Sequence, residues 1–302
     1  MTTETQFPSV ALTVGSFDGV HLGHRRILDA VVAAARAANG TAAVMTLKPH
    51  PREFFSPEHA PCVLTSFSKK MALFEEAGID VVYVLDFDAG VANLERGEFL
   101  ETIIRGRCRA KAIVVGHDFR FGKGATGDHD YLAKAGPRLG FAVSQVPPLF
   151  VDGERVSSTV VRERILEGDL TGAERFLGRK YSIMGEVIAG RGVGRSLGFP
   201  TANIHPGQHA TPAQGVYAAE VVIEGQRCPA AVNVGIAPTV RHADIMIEAH
   251  LLGCQYDVCH KTIEIVFHKR LRPERKFPTR QALQRAIQTD VEAVKDYFAA
   301  LG

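Results

Sequence analysis

The chain has 302 residues, 46% of them hydrophobic, and Lys+Arg 35 against Asp+Glu 33 leaves a net charge of +2. That length suits two domains, that apolar content excludes a disordered chain, and the near-neutral balance gives no argument for a polyanionic partner. The start, MTTETQFPSVAL, lacks a basic segment running into an apolar one, and no apolar run approaches the roughly 20 residues a bilayer requires, so a soluble cytoplasmic protein is expected.

In chain order, VALTVG at 10–15 reads as a short buried strand. The next segment sets Ile27, Leu28, Val31, Val32 and Ala35 at helical spacing until Asn39 and Gly40 stop it. Apolar runs at 41–47, 81–87 and 112–116 alternate with helices around FSKKMALFEEAG and GEFLETIIRGRC, which predicts a parallel sheet with helices on its faces. Past Tyr181 the texture changes. YAAEVVI, a tight turn at Glu224-Gly225, QRCPAAVNV, IMIEAHLL and TIEIVFH follow without intervening helices, as in an antiparallel sheet or small barrel. Thr279 can cap a last helix carrying Leu283, Ile287, Val291, Val294 and Phe298 on one side. The boundary falls near 168–182, giving domains of 1–180 and 181–302. The five cysteines, Cys62, Cys108, Cys228, Cys254 and Cys259, are scattered and form no CxxC pair, so disulfides are not expected.

The first chemical signal is GSFDGVHLGHRRIL, at the carboxyl end of the first strand and the start of the first helix. Amide groups at a helix N-terminus point toward an anion. Gly19 and Gly23 let main chain approach closely, His21 and His24 add imidazole donors, and Arg25 and Arg26 add charge. This composition suits phosphate; the plain alternative is a pair of solvated histidines at an ordinary helix start. Three later segments also follow strands or open a helix: TLKPHPREFFSP with His50 and Arg52, VVGHDFRFGKG with Asp118, Arg120 and Lys123, and VSSTVVRERILEGD with a hydroxyl cluster and Arg162. In the last, Ser157 or Ser158 has a second reading, as a cap of a helix that Gly168 ends.

The second signal is GRGVGRSLGFPTANI at 190–204. Its glycines allow main chain to wrap phosphate oxygens, and the Thr201 hydroxyl and Asn203 amide oxygen are hard donors suited to Mg²⁺. Downstream, Ile245, Ile247, Ala249 and Leu251 alternate onto one face and leave Glu248 on the other with Met246 and His250. A carboxylate so placed can accept a proton from an alcohol; a surface salt bridge is the competing reading.

With both motifs on the page, the chain resembles the bacterial bifunctional riboflavin kinase/FAD synthetases from about Val10 to about Phe298. GSFDGVHLGH matches their FMN adenylyltransferase half. The second half is matched by LGRKYSIMGEVIAGRGVGRSLGFPTANI, QGVYAAEV, NVGIAPTV, IEAHLL and KRLRPERKF. The resemblance implies a nucleotidyltransferase-type α/β domain with a parallel sheet, followed by a small antiparallel β-barrel domain with a C-terminal helix. It implies phosphorylation of riboflavin to FMN, then adenylylation of FMN to FAD with release of pyrophosphate. ATP and flavins are the substrates, Mg²⁺ the metal, and neither nucleic acid nor membrane is a partner; room is left for a homo-oligomer.

By the same resemblance Glu248, His21 and His24 are catalytic, with Glu248 as general base. Gly15, Phe17, Asp18, Gly19, Gly23, Ser157, Ser158, Thr159, Arg162, Gly190, Gly192, Gly194 and Arg195 bind nucleotide or phosphate. His50, Asp118 and Arg120 contact substrate, and Thr201 and Asn203 hold Mg²⁺.

The chain departs from the family after IEAHLL, where GCQYDVCHK stands in place of an acidic-aromatic segment, and at NVGIAPTV. This leaves an alternative in which only adenylyl transfer operates. His242, His250, Cys254, Cys259 and His260 lie close in sequence but match no standard zinc spacing, so no structural zinc is expected. Another competitor treats KRLRPERKFPTR as a nucleic-acid surface. Near-neutral charge and the lack of interleaved aromatics argue against it.

Overall fold

The computed structural model describes residues 7–190, 192–238, 243–254 and 258–301. Arg191 of the glycine-rich segment, Thr239 and Val240 of NVGIAPTV, His242, and residues 255–257 of GCQYDVCHK lie outside the described residues. The chain forms two compact units, Met1–Pro61 with Phe67–Ser157 and Cys62–Ser66 with Ser158–Gly302. The helices Ser158–Glu167 and Leu170–Leu177 therefore group with the second unit, ahead of the change in texture near 180.

In the first unit, strands β1 (Ala11–Val14), β2 (Ala42–Lys48), β3 (Val81–Asp86), β4 (Ala112–Gly116) and β5 (Ala142–Val146) form one sheet in the order β3-β2-β1-β4-β5. All four pairings are parallel. Alternation along the strands divides their side chains between two cores. Leu12, Ala43, Met45, Ile113 and Val115 enter one, while Ala11, Ala42, Val44 and Val114 enter the other beside Leu28 and Val31 of helix α1 (Leu22–Ala37). A sheet buried on both faces needs near-continuous apolar strands, which is why TAAVMTL and AIVVG read as runs. Between β5 and the second unit, β6 (Phe150–Val151) and β7 (Glu154–Arg155) make a two-stranded hairpin.

The second unit is a closed barrel of β8 (Ser182–Ile188), β9 (Ala202–Ile204), β10 (Gly215–Ile223), β11 (Gln226–Pro238), β12 (Ala243–Leu251) and β13 (Thr262–Pro273), in the order β10-β11-β12-β9-β8-β13. Every pairing around it is antiparallel. Glu224 and Gly225 join β10 to β11 with φ of 51° and 81°, the positive pair that a two-residue hairpin turn with the strands' own twist demands. The C-terminal helix Arg280–Ala299 is capped as predicted, the Thr279 hydroxyl accepting from the Ala282 amide at 3.1 Å. It buries Val291 and Val294 against Ala218 and Ala231.

Two expectations need correction. Cys228 and Cys254 are joined by a disulfide, with their Cα atoms 6.4 Å apart, although no disulfide was expected. The β11–β12 register sets Ala230 opposite Leu251, and three residues beyond Leu251 the chain has turned back over Cys228. Residues 26 apart in sequence thus meet through strand pairing, which spacing alone does not reveal. On β12, Ile247 and Ala249 are fully buried as the alternation implies, but Ile245 is 38% exposed.

Candidate active sites

In the first unit the chain runs from β1 to β2 on one side of the sheet and later returns to place β4 on the other side of β1. The crevice at the carboxyl ends of β1 and β4 is therefore the switch point, the place where open α/β sheets take ligands. The Ser16–Val20 turn lies beyond the end of β1, and His117 and Asp118 beyond that of β4. In the turn Phe17 and Val20 hold positive φ, 50° and 40°. Such a conformation costs about 1–3 kcal/mol per residue and persists only where neighbours impose it.

The neighbours come from the helix Phe67–Glu76. Phe74 meets the Phe17 ring edge-on at 5.5 Å, and one turn earlier Lys70 donates from Nζ to the Ser16 carbonyl at 2.8 Å. Burial lowers the pKa of Lys70, and the charge of nearby Asp18 opposes that shift.

His21 is the N-cap of α1: its Nδ1 accepts from the His24 amide at 3.2 Å. An accepting Nδ1 leaves the proton of a neutral ring on Nε2, so His21 is set as an Nε2–H donor. The His24 ring stacks on it at 3.6 Å and 13°. The same device recurs at the end of the adjacent strand β2. There His50 caps the helix Pro51–Phe55 with Nδ1 accepting from the Arg52 amide at 3.1 Å, again directing a donor from Nε2. Two neighbouring strand ends thus present fixed imidazole N–H groups, which suits an anionic ligand.

Asp118 pairs with Arg155 of the hairpin at 2.5 Å and lies 3.9 Å from His117. Arg120 pairs with Asp128 at 3.1 Å, and Asp128 caps the helix His129–Leu139, so this arginine braces the loop it stands in. Ser157 closes the first unit. Ser158, Thr159 and Arg162 open a helix of the second, where Arg162 Nε donates to the Cys62 carbonyl at 2.7 Å.

In the second unit a cavity of about 740 Å³ lies on the outer wall of the barrel, within the size range of small-molecule sites. One register row builds its floor. Ile188 pairs with Asn203, Asn203 with Glu248, Glu248 with Asn233, Asn233 with Val216, and Val216 with Arg272. Directly opposed residues share a face of the sheet, so the row contributes one residue from each of the six strands to the same face, and all six line the cavity. Their strand neighbours Val187, Ile204, Ile247, Val232 and Val234 fill the barrel interior. The C-terminal helix supplies the facing wall through Leu283, Ile287 and Asp290.

The glycine-rich segment approaches this floor at Gly190 and folds back on itself at Gly194, and each close approach needs a residue without Cβ. At Gly190 a Cβ would fall 2.3 Å from Asn203 Nδ2, and at Gly194 it would fall 2.4 Å from the Phe199 carbonyl. Asn203 Nδ2 donates to the Thr201 carbonyl at 3.3 Å, which leaves Oδ1 as the acceptor of that amide. Gly190, Gly192, Gly194, Thr201, Asn203 and Glu248 all line the cavity, whereas Arg195 is exposed and does not. Among the described residues no cluster of three His, Cys, Asp or Glu side chains is placed to hold a metal, and Cys254 is committed to its disulfide.

Several residues in these sites have no motif to announce them. Asn233 joins the row only through strand register. Asp290 and Lys70 each stand as a charge on an otherwise apolar helical stripe, a signal that periodicity could have flagged. On the adenylyl transfer and phosphorylation that the resemblance implies for the two halves, the expected result of Lys70→Met is an adenylyl-transfer rate about tenfold below wild type, because a charge-assisted hydrogen bond of about 1.5–3 kcal/mol no longer holds the Ser16 carbonyl. Phosphorylation by the second unit should be unchanged in the same sample; an unaltered adenylyl-transfer rate would remove Lys70 from the site.

Comparison with known proteins agrees with this division. The FAD synthetase family model matches residues 3–160, and the riboflavin kinase model matches residues 177–298. The chain is similar to the bifunctional riboflavin kinase/FMN adenylyltransferase of Escherichia coli K12, at 36% identity over 95% of this chain and 92% of the other. It is 38% identical to that of Pseudomonas fluorescens, over 94% of this chain and 91% of the other. A crystal structure described as a macrolide-efflux protein from Streptococcus pneumoniae superimposes with a TM-score of 0.87 at 29% identity, covering 97% of this chain and 96% of that one.

Proposed function

The chain belongs to the family of bifunctional riboflavin kinases/FMN adenylyltransferases, and on that premise we propose how its side chains divide the two reactions. The protein phosphorylates riboflavin to FMN with ATP, and it adenylylates FMN to FAD with a second ATP, releasing pyrophosphate. Both family models match, and no observation favours adenylyl transfer alone.

The observation that carries the assignment of roles is the row Asn203–Glu248–Asn233 on the cavity floor. In this reading the riboflavin 5′-hydroxyl lies against Glu248. Its oxygen attacks the γ-phosphorus of ATP, its proton passes to the carboxylate, and the bond to the ADP oxygen breaks. Gly190, Gly192 and Gly194 bring main chain to the phosphates. Thr201 and Asn203 would hold Mg²⁺. A hydroxyl and an amide oxygen, one of them in a cradle that a Cβ at position 190 would fill, fit a hard cation whose charge is balanced by the nucleotide rather than by protein carboxylates. When bound, that cation neutralises charge on the transferring phosphates.

In the first unit an FMN phosphate oxygen attacks the α-phosphorus of ATP and pyrophosphate departs. His21 and His24 hold the triphosphate at the N-terminus of α1, with Gly15, Phe17, Asp18, Gly19 and Gly23 shaping the turn. His50, Asp118 and Arg120 serve as substrate contacts, and Ser157, Ser158, Thr159 and Arg162 as nucleotide contacts, on the resemblance alone. A cytoplasmic location belongs to the same reading, since ATP supplies both transfers; among the described residues no helix is long and apolar enough to cross a membrane.

The test is incubation of the pure protein with riboflavin, ATP and Mg²⁺ and separation of the flavins by chromatography. FMN should appear first and FAD after it, and a chelator should stop FMN formation. FAD formed only when FMN is supplied would restrict the chain to adenylyl transfer.

A further inference from the structure

Two of the residues that line the cavity, Arg272 of the register row and Asp290 of the C-terminal helix, form an ion pair that the chemistry just described does not use. Arg272, the last member of the register row, directs Nε to Asp290 Oδ1 at 2.9 Å and a terminal nitrogen to Oδ2 at 2.7 Å, and its other terminal nitrogen donates to the Pro273 carbonyl at 3.2 Å. Its guanidinium carbon lies 5.6 Å from the centre of the Phe277 ring. The pair is largely dry, with the two side chains 20% and 10% exposed. Three of the five N–H groups of the guanidinium are committed to protein. The cation is thereby held in one orientation at the rim of the cavity.

Packing does not call for this arrangement. Asp290 follows Leu283 and Ile287 on the helical stripe that faces the barrel, and its neighbours Val291 and Val294 are buried apolar residues. Replacing a buried ion pair by apolar side chains of similar volume is often neutral or stabilising, so a hydrophobic pair would close the helix onto the barrel as well. A planar bidentate fork instead fixes where the remaining N–H groups point.

Position says which end of the substrate they meet. Between Glu248 and Arg272 the row crosses three strand spacings, about 14 Å along the wall. With the ribityl hydroxyl at Glu248, as proposed above, the triphosphate lies toward the glycine-rich segment. The planar, carbonyl-bearing ring system lies toward Arg272, against Ile287 and Phe277.

We propose that Asp290 is a positioning residue of the kinase half, acting through Arg272 to fix the wall that receives the flavin ring. This inference rests on the cavity being the riboflavin site, and the wild-type assay above tests that premise separately.

The experiment measures initial rates of FMN formation by the full chain against riboflavin and against ATP, for wild type, Asp290→Asn and the double variant Arg272→Met/Asp290→Leu. Asp290→Asn keeps the shape and loses the charged fork. Its KM for riboflavin should rise about tenfold, with kcat and the KM for ATP within about twofold. The double variant should match or exceed the thermal midpoint of Asp290→Asn and still show the raised riboflavin KM. A double variant with the wild-type riboflavin KM would reduce the pair to a structural clasp and overturn the proposal. Equal increases in the two KM values of Asp290→Asn would overturn it as well, as general loosening. Absence of any FMN from the wild type would instead sink the assignment of the cavity.

Discussion

Glu248→Gln is expected to lower FMN formation from riboflavin by about 10²–10⁴-fold, while FAD formation from supplied FMN and ATP stays within about twofold of wild type. Glutamine has the volume of glutamate and can occupy the same place between Asn203 and Asn233 in the register row. It cannot take up a proton from the ribityl hydroxyl. The two activities are predicted to separate because Glu248 is in the second unit and the phosphate-binding turn after β1 is in the first. Chromatography of both reactions from one protein sample checks this. Loss of both activities would contradict two independent sites, and retention of FMN formation would leave Glu248 as a positioning residue only. Riboflavin KM separates these roles further, since a base that acts in the transition state should change kcat more than KM.

How far this was visible beforehand depends on the range of the interaction concerned. GSFDGVHLGH and PTAN stand out in the sequence because the residues they bring together are close along the chain. A strand end, a glycine turn and a helix N-terminus follow one another directly, and Thr201 and Asn203 are two residues apart. The parallel sheet was legible through its buried runs, but β5 was not: Ala142–Val146 lies at the sheet edge, largely exposed, and AVSQV has no apolar run to mark it. Alternation put Glu248 on a face of β12 away from Ile247, yet it could not say that Asn203 and Asn233 flank it, because strand register is set by partners tens of residues away. The Cys228–Cys254 bridge and the Arg272–Asp290 fork were hidden for the same reason. Each depends on where a strand or helix returns to, and the local pattern around each residue is compatible with other partners. Lys70 is intermediate, its place on the Phe74 face being readable from spacing while its acceptor, the Ser16 carbonyl 54 residues earlier, is not.

Changing His21 and His24 together to alanine should have the opposite effect to Glu248→Gln: FAD formation from FMN and ATP falls by about 10²–10³-fold or more, and riboflavin is still converted to FMN. The loss of a preorganised donor to developing phosphate charge accounts for that magnitude. His21 also caps α1, and removing a cap costs about 0.5–2 kcal/mol, so a fall in activity could come from fraying of the helix start. His21→Asn separates the causes. Asparagine is among the strongest N-cap residues and can accept from the His24 amide as Nδ1 does, but it lacks the imidazole Nε2–H. If charge stabilisation is the role of His21, the asparagine variant should have a near-wild-type thermal midpoint and remain at least about tenfold slower in adenylyl transfer. If the cap is the role, asparagine should restore the rate. Because the His24 ring stacks on His21 at 3.6 Å, the single changes should not add: the first should already displace the second imidazole, and His24→Ala made in the His21→Asn background should cost less than His24→Ala made alone.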